Sequence, residues 1–263
     1  MQISGATVLL TGASGGLGQA IARALGERGA SLILTGRRTE VLQGLADELG
    51  ARALAVDIAN PAEIDRLLSE AGDIDILVAN AALPASGTLD SFSVEEIDRA
   101  LNVNLRAPIV LARVLAPPMV DRGRGHLLFM SSLAGKAATP RTSLYNASKY
   151  ALRGFASALR ADLRASGVGV SAVFPGFIRD AGMFADAGAK LPLGVGTRAP
   201  GDVAKAVVDA IERNRAEVDV APLPLRATAA FAGLAPELAA GLARRLGAEG
   251  VASELAAGQQ DKR

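Results

Sequence analysis

Tyr145 and Lys149 stand four residues apart in Ser143-Leu-Tyr-Asn-Ala-Ser-Lys149, and Ser132 lies thirteen residues upstream of the tyrosine, at the end of the apolar run Leu127-Leu-Phe-Met-Ser-Ser132. On a helix, positions i and i+4 share a face, so a phenol and an ammonium would open into the same space. A free tyrosine has a pKa of about 10, and a fixed cation beside it favours the phenolate and lowers that value. Tyr145 is therefore expected to exchange protons near neutrality. A tyrosine packed on a helix beside a solvated lysine has the same spacing, so the pair needs partners before it implies chemistry.

The start of the chain offers such a partner. Thr11-Gly-Ala-Ser-Gly-Gly-Leu-Gly18 follows the first predicted strand and opens a helix with Leu17, Ile21, Ala24 and Leu25 on one side. Gly12 allows a tight turn, Gly16 lets the backbone approach a pyrophosphate, and Gly18 lets the helix pack closely. The helix N-terminus adds amide donors and positive potential. Between strand one and helix one, this pattern points to a dinucleotide. At the end of the second strand, roughly 20 residues on, an unphosphorylated dinucleotide would call for Asp or Glu on its ribose diol. The sequence there is Leu34-Thr-Gly-Arg-Arg38, with Gly36 in the acid's place and Arg37 next. A guanidinium fork suits a 2′-phosphate, and Ser14 would add a hydroxyl contact, so NADP (NADPH) is expected in preference to NAD. A solvated Arg37-Arg38 pair would explain the arginines but not the missing acid.

The elements that must position these groups are legible as alternating strands and helices. Apolar runs at Thr7 to Leu10, Ser31 to Thr35, Ala53 to Val56, Ile74 to Val78, His126 to Ser131, Val168 to Phe174 and Val218 to Ala221 read as strands. Most are apolar on both faces, as a parallel sheet covered on both sides requires. Asn60-Pro61 caps a helix carrying Ile64, Leu67 and Leu68, and Ser93-Val-Glu-Glu96 is a capping box before Ile97 and Leu101. The alternation predicts an α/β fold: a single doubly wound Rossmann domain over residues 1–221, with a parallel sheet of about seven strands and helices on both faces. Residues 179–198, rich in Gly and Ala with Met183, Phe184, Leu191, Leu193 and Val195 among them and Pro192 in the middle, read as a mobile substrate loop. Pro222-Leu-Pro224 closes the last strand, and residues 222–263 read as a helical extension. Its stripe of Leu234, Leu238, Leu242 and Leu246, with Arg244 and Arg245 nearby, suits a helix laid over the domain or a subunit contact; a membrane surface is a third option.

Composition narrows the chemistry. A chain of 263 residues suffices for one large domain, and no stretch reaches the roughly 18 uncharged apolar residues of a membrane span. Without cysteine there is no thiol nucleophile, disulfide or cysteine-ligated zinc, and the expected compartment is cytoplasmic. His126 is the sole histidine, so a histidine-rich metal site is excluded and acid-base work falls to Tyr, Lys, Asp or Glu; His126 itself reads as a strand-edge residue. The N-terminus lacks the charged start and apolar core of a signal peptide. Net charge is +1 without a basic block, which argues against nucleic acid as a partner.

Together these motifs resemble the short-chain dehydrogenase/reductase family from about Ala6 to Ala221. The matches run in order: Thr11 to Gly18, Asp57-Ile58 after strand three, Asn80-Ala-Ala82 after strand four, Asn104 in Asn102-Val-Asn-Leu105, Ser132, Tyr145 to Lys149, and Pro175-Gly176 after strand six. The resemblance implies hydride transfer between NADP(H) and a carbonyl or secondary alcohol, apolar to judge from the loop. It implies cofactor contacts from Gly12, Ser14, Gly16, Leu17, Gly18, Arg37, Asp57, Ile58, Asn80, Ala81, Tyr145, Lys149, Pro175, Gly176 and Ile178, with Asp57 and Ile58 flanking the adenine and Lys149 on the nicotinamide ribose. Tyr145 would be the general acid in reduction, Ser132 would hydrogen-bond the substrate oxygen, and Asn104 would hold a water linking Lys149 to solvent. It further implies a homodimer or homotetramer, formed through the helices that begin near Ser93 and Ser143. Two departures stand out: Ala82 replaces the family's glycine, and Asp180 replaces a threonine. An acid there is tolerable beside phosphates only if Arg179 or Arg198 pairs with it or it turns away.

Two other readings compete. Gly12-Ala-Ser14-Gly-Gly16 also fits the Gly-x-Ser-x-Gly elbow of a hydrolase, with Asp57 and His126 completing a Ser, Asp, His order, but this leaves Ser132, Tyr145 and Lys149 without a job. A non-catalytic NADP-sensing module would be expected to lack a member of the Asn, Ser, Tyr and Lys set, and none is missing.

Overall fold

Val8, Leu9 and Leu10 are all fully buried, which a strand achieves only when both faces of its sheet are covered. Their side chains alternate. Val8 and Leu10 join one core cluster with Ile76, Val78 and Leu128, while Leu9 joins the other with Leu77, Leu127 and Phe129. The structure, a computed structural model, describes residues 1–191, 195–245 and 248–259. Seven parallel strands, β1 (Thr7–Thr11), β2 (Ser31–Gly36), β3 (Arg52–Ala55), β4 (Ile76–Ala79), β5 (Gly125–Met130), β6 (Val168–Pro175) and β7 (Glu217–Val220), form one sheet in the order 3-2-1-4-5-6-7. Each expected strand is present within two residues of its expected bounds.

Helices α1 (Gly16–Gly26), α2 (Thr39–Leu49) and α8 (Pro200–Glu212) supply Ile21, Leu25, Leu42, Val207 and Ile211 to the first core face. On the other face, α3 (Pro61–Ala71), α5 (Ala107–Asp121) and α6 (Ser143–Asp162) supply Ile64, Leu67, Leu111, Leu115, Met119 and Leu152. The expected caps form: Asn60 Oδ1 accepts from the Ala62 amide at 3.0 Å, and Ser93 and Glu96 close the capping box of α4 (Val94–Leu101). A five-residue π turn, Asn102–Arg106, joins α4 to α5. The stretch Val94–Asp121 is long and apolar enough to cross a membrane, but half of its most apolar window is buried inside the domain, where α5 packs on β4, β5 and β6. Its apolarity is that of a core helix.

The crossover from β3 to β4 places β1 between β2 and β4, and it opens a crevice at their carboxyl ends. Thr11 and Asn80 hold that crevice together. Thr11 Oγ1 accepts from the amides of Asn80 and Ala81, both at 3.0 Å, and Asn80 Nδ2 donates to Thr11 O at 3.0 Å.

The two segments that break the alternation are more structured than a loop and a single helix. The loop over 179–198 contains a short helix, α7 (Met183–Ala187), capped by Gly182 at φ +86; Pro192 and Leu193 lie outside the described residues. The segment after β7 is three helices, α9 (Leu223–Leu234), α10 (Pro236–Arg245) and α11 (Ala248–Gly258), and α9 begins directly at the Pro222-Leu-Pro224 motif. Of the apolar stripe, Leu234 is 87% and Leu238 69% exposed, which does not fit the option of a helix laid over the domain at these two positions. Leu246 lies outside the described residues, as do the side chains of Leu242, Arg244 and Arg245.

Candidate active site

The first two turns of α6 carry Tyr145 and Lys149 beneath the end of β5. Lys149 is 2% exposed, its Nζ donates to Met130 O at 3.0 Å, and it stands 5.6 Å from the Tyr145 ring centroid. Ser131 Oγ donates to the Lys149 carbonyl at 3.1 Å, which ties the strand to the helix. Asn146, one residue beyond Tyr145, donates to Ala134 O at 2.6 Å and Ala137 O at 3.0 Å, so the turn carrying Ser132 is fastened to the same helix. Ser132 Oγ donates to Pro175 O at 3.3 Å and accepts from the Ala134 amide at 3.2 Å, and it stands close enough to the Tyr145 phenol to influence its titration. Ser132, Tyr145 and Lys149 thus converge at the carboxyl ends of β5 and β6.

The electrostatics correct the expectation drawn from the spacing. Burial pushes the Tyr145 phenol above its ordinary value, and the neighbouring Ser132 hydroxyl pulls it part of the way back. Burial likewise pushes the Lys149 ammonium down to about 8. The i, i+4 spacing does not reveal that both groups lie in a low-dielectric wedge, where desolvation outweighs their mutual influence.

Asn104 sits in the π turn, fully buried, with Oδ1 accepting from Leu83 N at 2.7 Å and Nδ2 donating to Leu83 O at 3.0 Å. The side chain therefore braces the segment after β4. That uses half of its hydrogen-bonding capacity before any water is held.

The glycine cradle is built as its residue types require. Gly12 has φ +68, and a Cβ there would lie 2.7 Å from Ala81 Cα; a Cβ on Gly18 would lie 2.7 Å from Ala13 Cα. Helix α1 starts at Gly16 with Gly15 at its N-cap and no side-chain cap, which leaves its first amides to an anion. Next to Gly16 stands Ala181, and a Cβ on Gly16 would meet the Ala181 methyl at 2.6 Å. At the neighbouring strand end, a Cβ on Gly36 would lie 2.7 Å from Ser14 Oγ, so a side chain at 36 would require the Ser14 hydroxyl to turn away. Arg37 is exposed, and Arg38 reaches back to donate to the Ser14 carbonyl. These features fit a dinucleotide with an unencumbered ribose edge beside two guanidinium groups.

Burial works to raise the Asp57 carboxyl, but hydrogen bonds from Arg99, at 2.8 Å, and from the Ala59 amide, with the charges of Arg99 and Arg37, hold it below its usual value. Ile58 and Ile178 are buried in the two core clusters. Leu17 packs beside Gly182, and Pro175 and Gly176 end β6 against β7. Asp180 follows one of the expected routes: Arg179 Nε lies 3.4 Å from its carboxylate, which faces largely outward.

The Ser14, Asp57 and His126 triad does not assemble. His126 pairs in register with Ile76, which pairs with Val8, whereas Ser14 lies beyond the far end of β1, roughly 10 Å of strand away. His126 is buried, with Nε2 2.9 Å from Ser171 Oγ, and burial drops its pKa to about 3. Sequence reasoning missed Thr11, Ser131 and Ala181. The first two had a signal, since each hydroxyl abuts a selected residue, Gly12 or Ser132; Ala181 had none.

The family model for short chain dehydrogenase matches residues 6–192. The chain is 38% identical over 232 residues to the ketoacyl reductase HetN of Nostoc sp. (strain PCC 7120 / SAG 25.82 / UTEX 2576), covering 85% of this chain and 81% of that protein. A short-chain dehydrogenase from Sphingobium yanoikuyae in complex with NADPH superposes with a TM-score of 0.77 at 30% identity, over 89% of this chain and 94% of that one. A 3-ketoacyl-(acyl-carrier-protein) reductase from Brucella melitensis complexed with NADH gives a TM-score of 0.73 at 27% identity, over 83% and 97%.

Proposed function

Because the chain belongs to the short-chain dehydrogenase family, we propose that it is an NADP(H)-dependent oxidoreductase that interconverts a carbonyl and a secondary alcohol on an apolar substrate. The observation that carries this reading is the convergence of Ser132, Tyr145 and Lys149 at the strand ends beside the glycine cradle. When bound, the dinucleotide supplies or accepts the hydride.

The chain's own residues do the rest. Gly12, Gly16, Leu17 and Gly18, with the free amides of α1, hold the pyrophosphate; Asn80 and Ala81 keep the β4 end open beside it. Ser132 Oγ turns from Pro175 O to donate to the substrate oxygen, and Tyr145 delivers a proton as that oxygen gains charge. A phenol kept protonated by burial is loaded for reduction. Lys149 binds the nicotinamide ribose and stabilises charge left on Tyr145, while Asn104 fixes the segment after β4 and, with its remaining hydrogen-bonding capacity, holds a water on the proton path.

The preference for NADPH rests on Gly36, Ser14 and Arg37: no carboxylate competes for the ribose edge, and an exposed guanidinium stands beside it. Ketoacyl thioesters are a suitable first substrate class, given the names carried by the relatives. The test is a screen of ketones, ketoacyl thioesters, aldehydes and alcohols with NADP(H) and NAD(H), followed by nicotinamide absorbance. Arg37→Ala should weaken NADPH by about tenfold or more, and NADH little, as expected for loss of a charge-assisted hydrogen bond. Equal losses for the two would overturn the 2′-phosphate role.

A further inference from the structure

Helix α7 has five residues, too few to hold a helical conformation on its own, so its position must be supplied from outside. Three neighbours supply it. On the cradle side, Ala181 stands on Gly16 and Gly182 faces the Leu17 side chain. Inside, the rings of Phe177 and Phe184 meet at 5.1 Å. On the outer side lie α11 and the residue that follows it: Gln259 Nε2 donates to Met183 O at 3.2 Å, and Glu254 Oε2 accepts from the Lys190 amide at 2.7 Å. Between them, Gly258 packs backbone to backbone on Ala187, where a Cβ would come 2.7 Å from Ala187 Cα. The C-terminal helix therefore grips α7 at its first residue, its last residue and just beyond.

We propose that α11 is a positioning element of the active site: it clamps α7, and through α7 fixes Ala181 and Gly182 against the cofactor cradle. The consequence for the site rests on the oxidoreductase reading above, but the clamp itself does not. Gly258, Gln259 and Glu254 act through α7 and touch none of Ser132, Tyr145 or Lys149. Loosening them should change how tightly NADPH and substrate are held while leaving the proton-transfer groups in place.

The experiment compares Gly258→Ala with Gly250→Ala, since a Cβ at Gly250 meets nothing within 4 Å on the same helix. Amide hydrogen exchange across Met183–Ala187 should accelerate by about tenfold or more in Gly258→Ala and stay unchanged in Gly250→Ala. With an active substrate, KM for NADPH or substrate should rise about tenfold in Gly258→Ala, with kcat at saturation within about threefold. Gln259→Ala, which removes one hydrogen bond without adding bulk, should give the same pattern in smaller measure and serves if Gly258→Ala fails to fold. Unchanged exchange in the Gly258 and Gln259 variants, or equal acceleration in Gly250→Ala, overturns the clamp. Accelerated exchange in a protein that turns over no carbonyl or alcohol keeps the clamp and counts against the oxidoreductase reading instead.

Discussion

Replacing Lys149 by methionine should stabilise the cofactor-free protein around neutral pH, because the fold takes this ammonium almost wholly out of bulk solvent. Burial lowers its pKa from 10.5 to about 8, and at 1.36 kcal/mol per unit the shift corresponds to a cost of about 3 kcal/mol. The unfolded chain binds the proton more tightly, so between these two values it carries more protons than the folded one. Stability contributed by this site therefore rises as pH increases from about 8 to 10.5, and below about 8 the full cost is present. Lys149→Met removes the cost and also the hydrogen bond to Met130 O, which offsets about 1 kcal/mol. The variant should be more stable by about 2 kcal/mol near neutrality, and the advantage should vanish or reverse as pH approaches 10.5. Tyr145 is held above its ordinary value, and every other ionisable group is common to both proteins, so the difference isolates this site. The chain has no tryptophan, so urea unfolding is followed by far-ultraviolet circular dichroism across that pH range. A stability difference that stays flat from neutrality to the alkaline limit would refute the argument.

Tyr145→Phe should lower turnover by about 10²- to 10⁴-fold, the range of general acid catalysis, with NADPH affinity unchanged in a fluorescence titration; retained turnover would remove Tyr145 from the chemistry. Gly36→Asp should weaken both dinucleotides because its side chain meets Ser14 Oγ, and adding Ser14→Gly should restore NADH binding but not NADPH; recovery of both alike would count against the ribose-edge account. Asn104→Ala leaves the buried Leu83 amide and carbonyl without side-chain partners, a loss of about 1–3 kcal/mol for each group, read as a Tm drop of several degrees by calorimetry. The folded pKa of His126 is about 3 against 6.5 unfolded, so stability falls as pH drops from 6.5 through that window, and a His126→Gln variant should show a shallower acid loss in parallel unfolding curves.

The sheet was legible because its strands are buried on both faces and read as apolar runs bounded by turn residues. Gly12, Gly18, Ser132, Tyr145 and Lys149 were legible for a related reason: local spacing in a strand-turn-helix or on one helix face fixes which groups can meet. What spacing cannot give is the dielectric around them, so the direction of the Tyr145 shift was misjudged. Nor does an apolar stripe name the surface that receives it. Leu234 and Leu238 had the period of a covered helix and are exposed, whereas Gly258 and Gln259, which make the tail's main contacts with α7, carry no periodic signal. Helix α7 spans barely more than one turn, below the length at which a helical period can be read at all.

The π turn at Asn102–Arg106 acts as a phase slip in an otherwise continuous helix. One extra residue advances everything after it by about 100° relative to an unbroken α-helix. Asn104 must point at Leu83 while Leu111, Leu115 and Met119 face the sheet, and the slip sets the angle between those two demands. Deleting a single residue from this turn would let the backbone anneal into uniform α-helix. Either the brace on Leu83 or the buried face of α5 would then rotate away, so one backbone irregularity couples the geometry of the site to the integrity of the core.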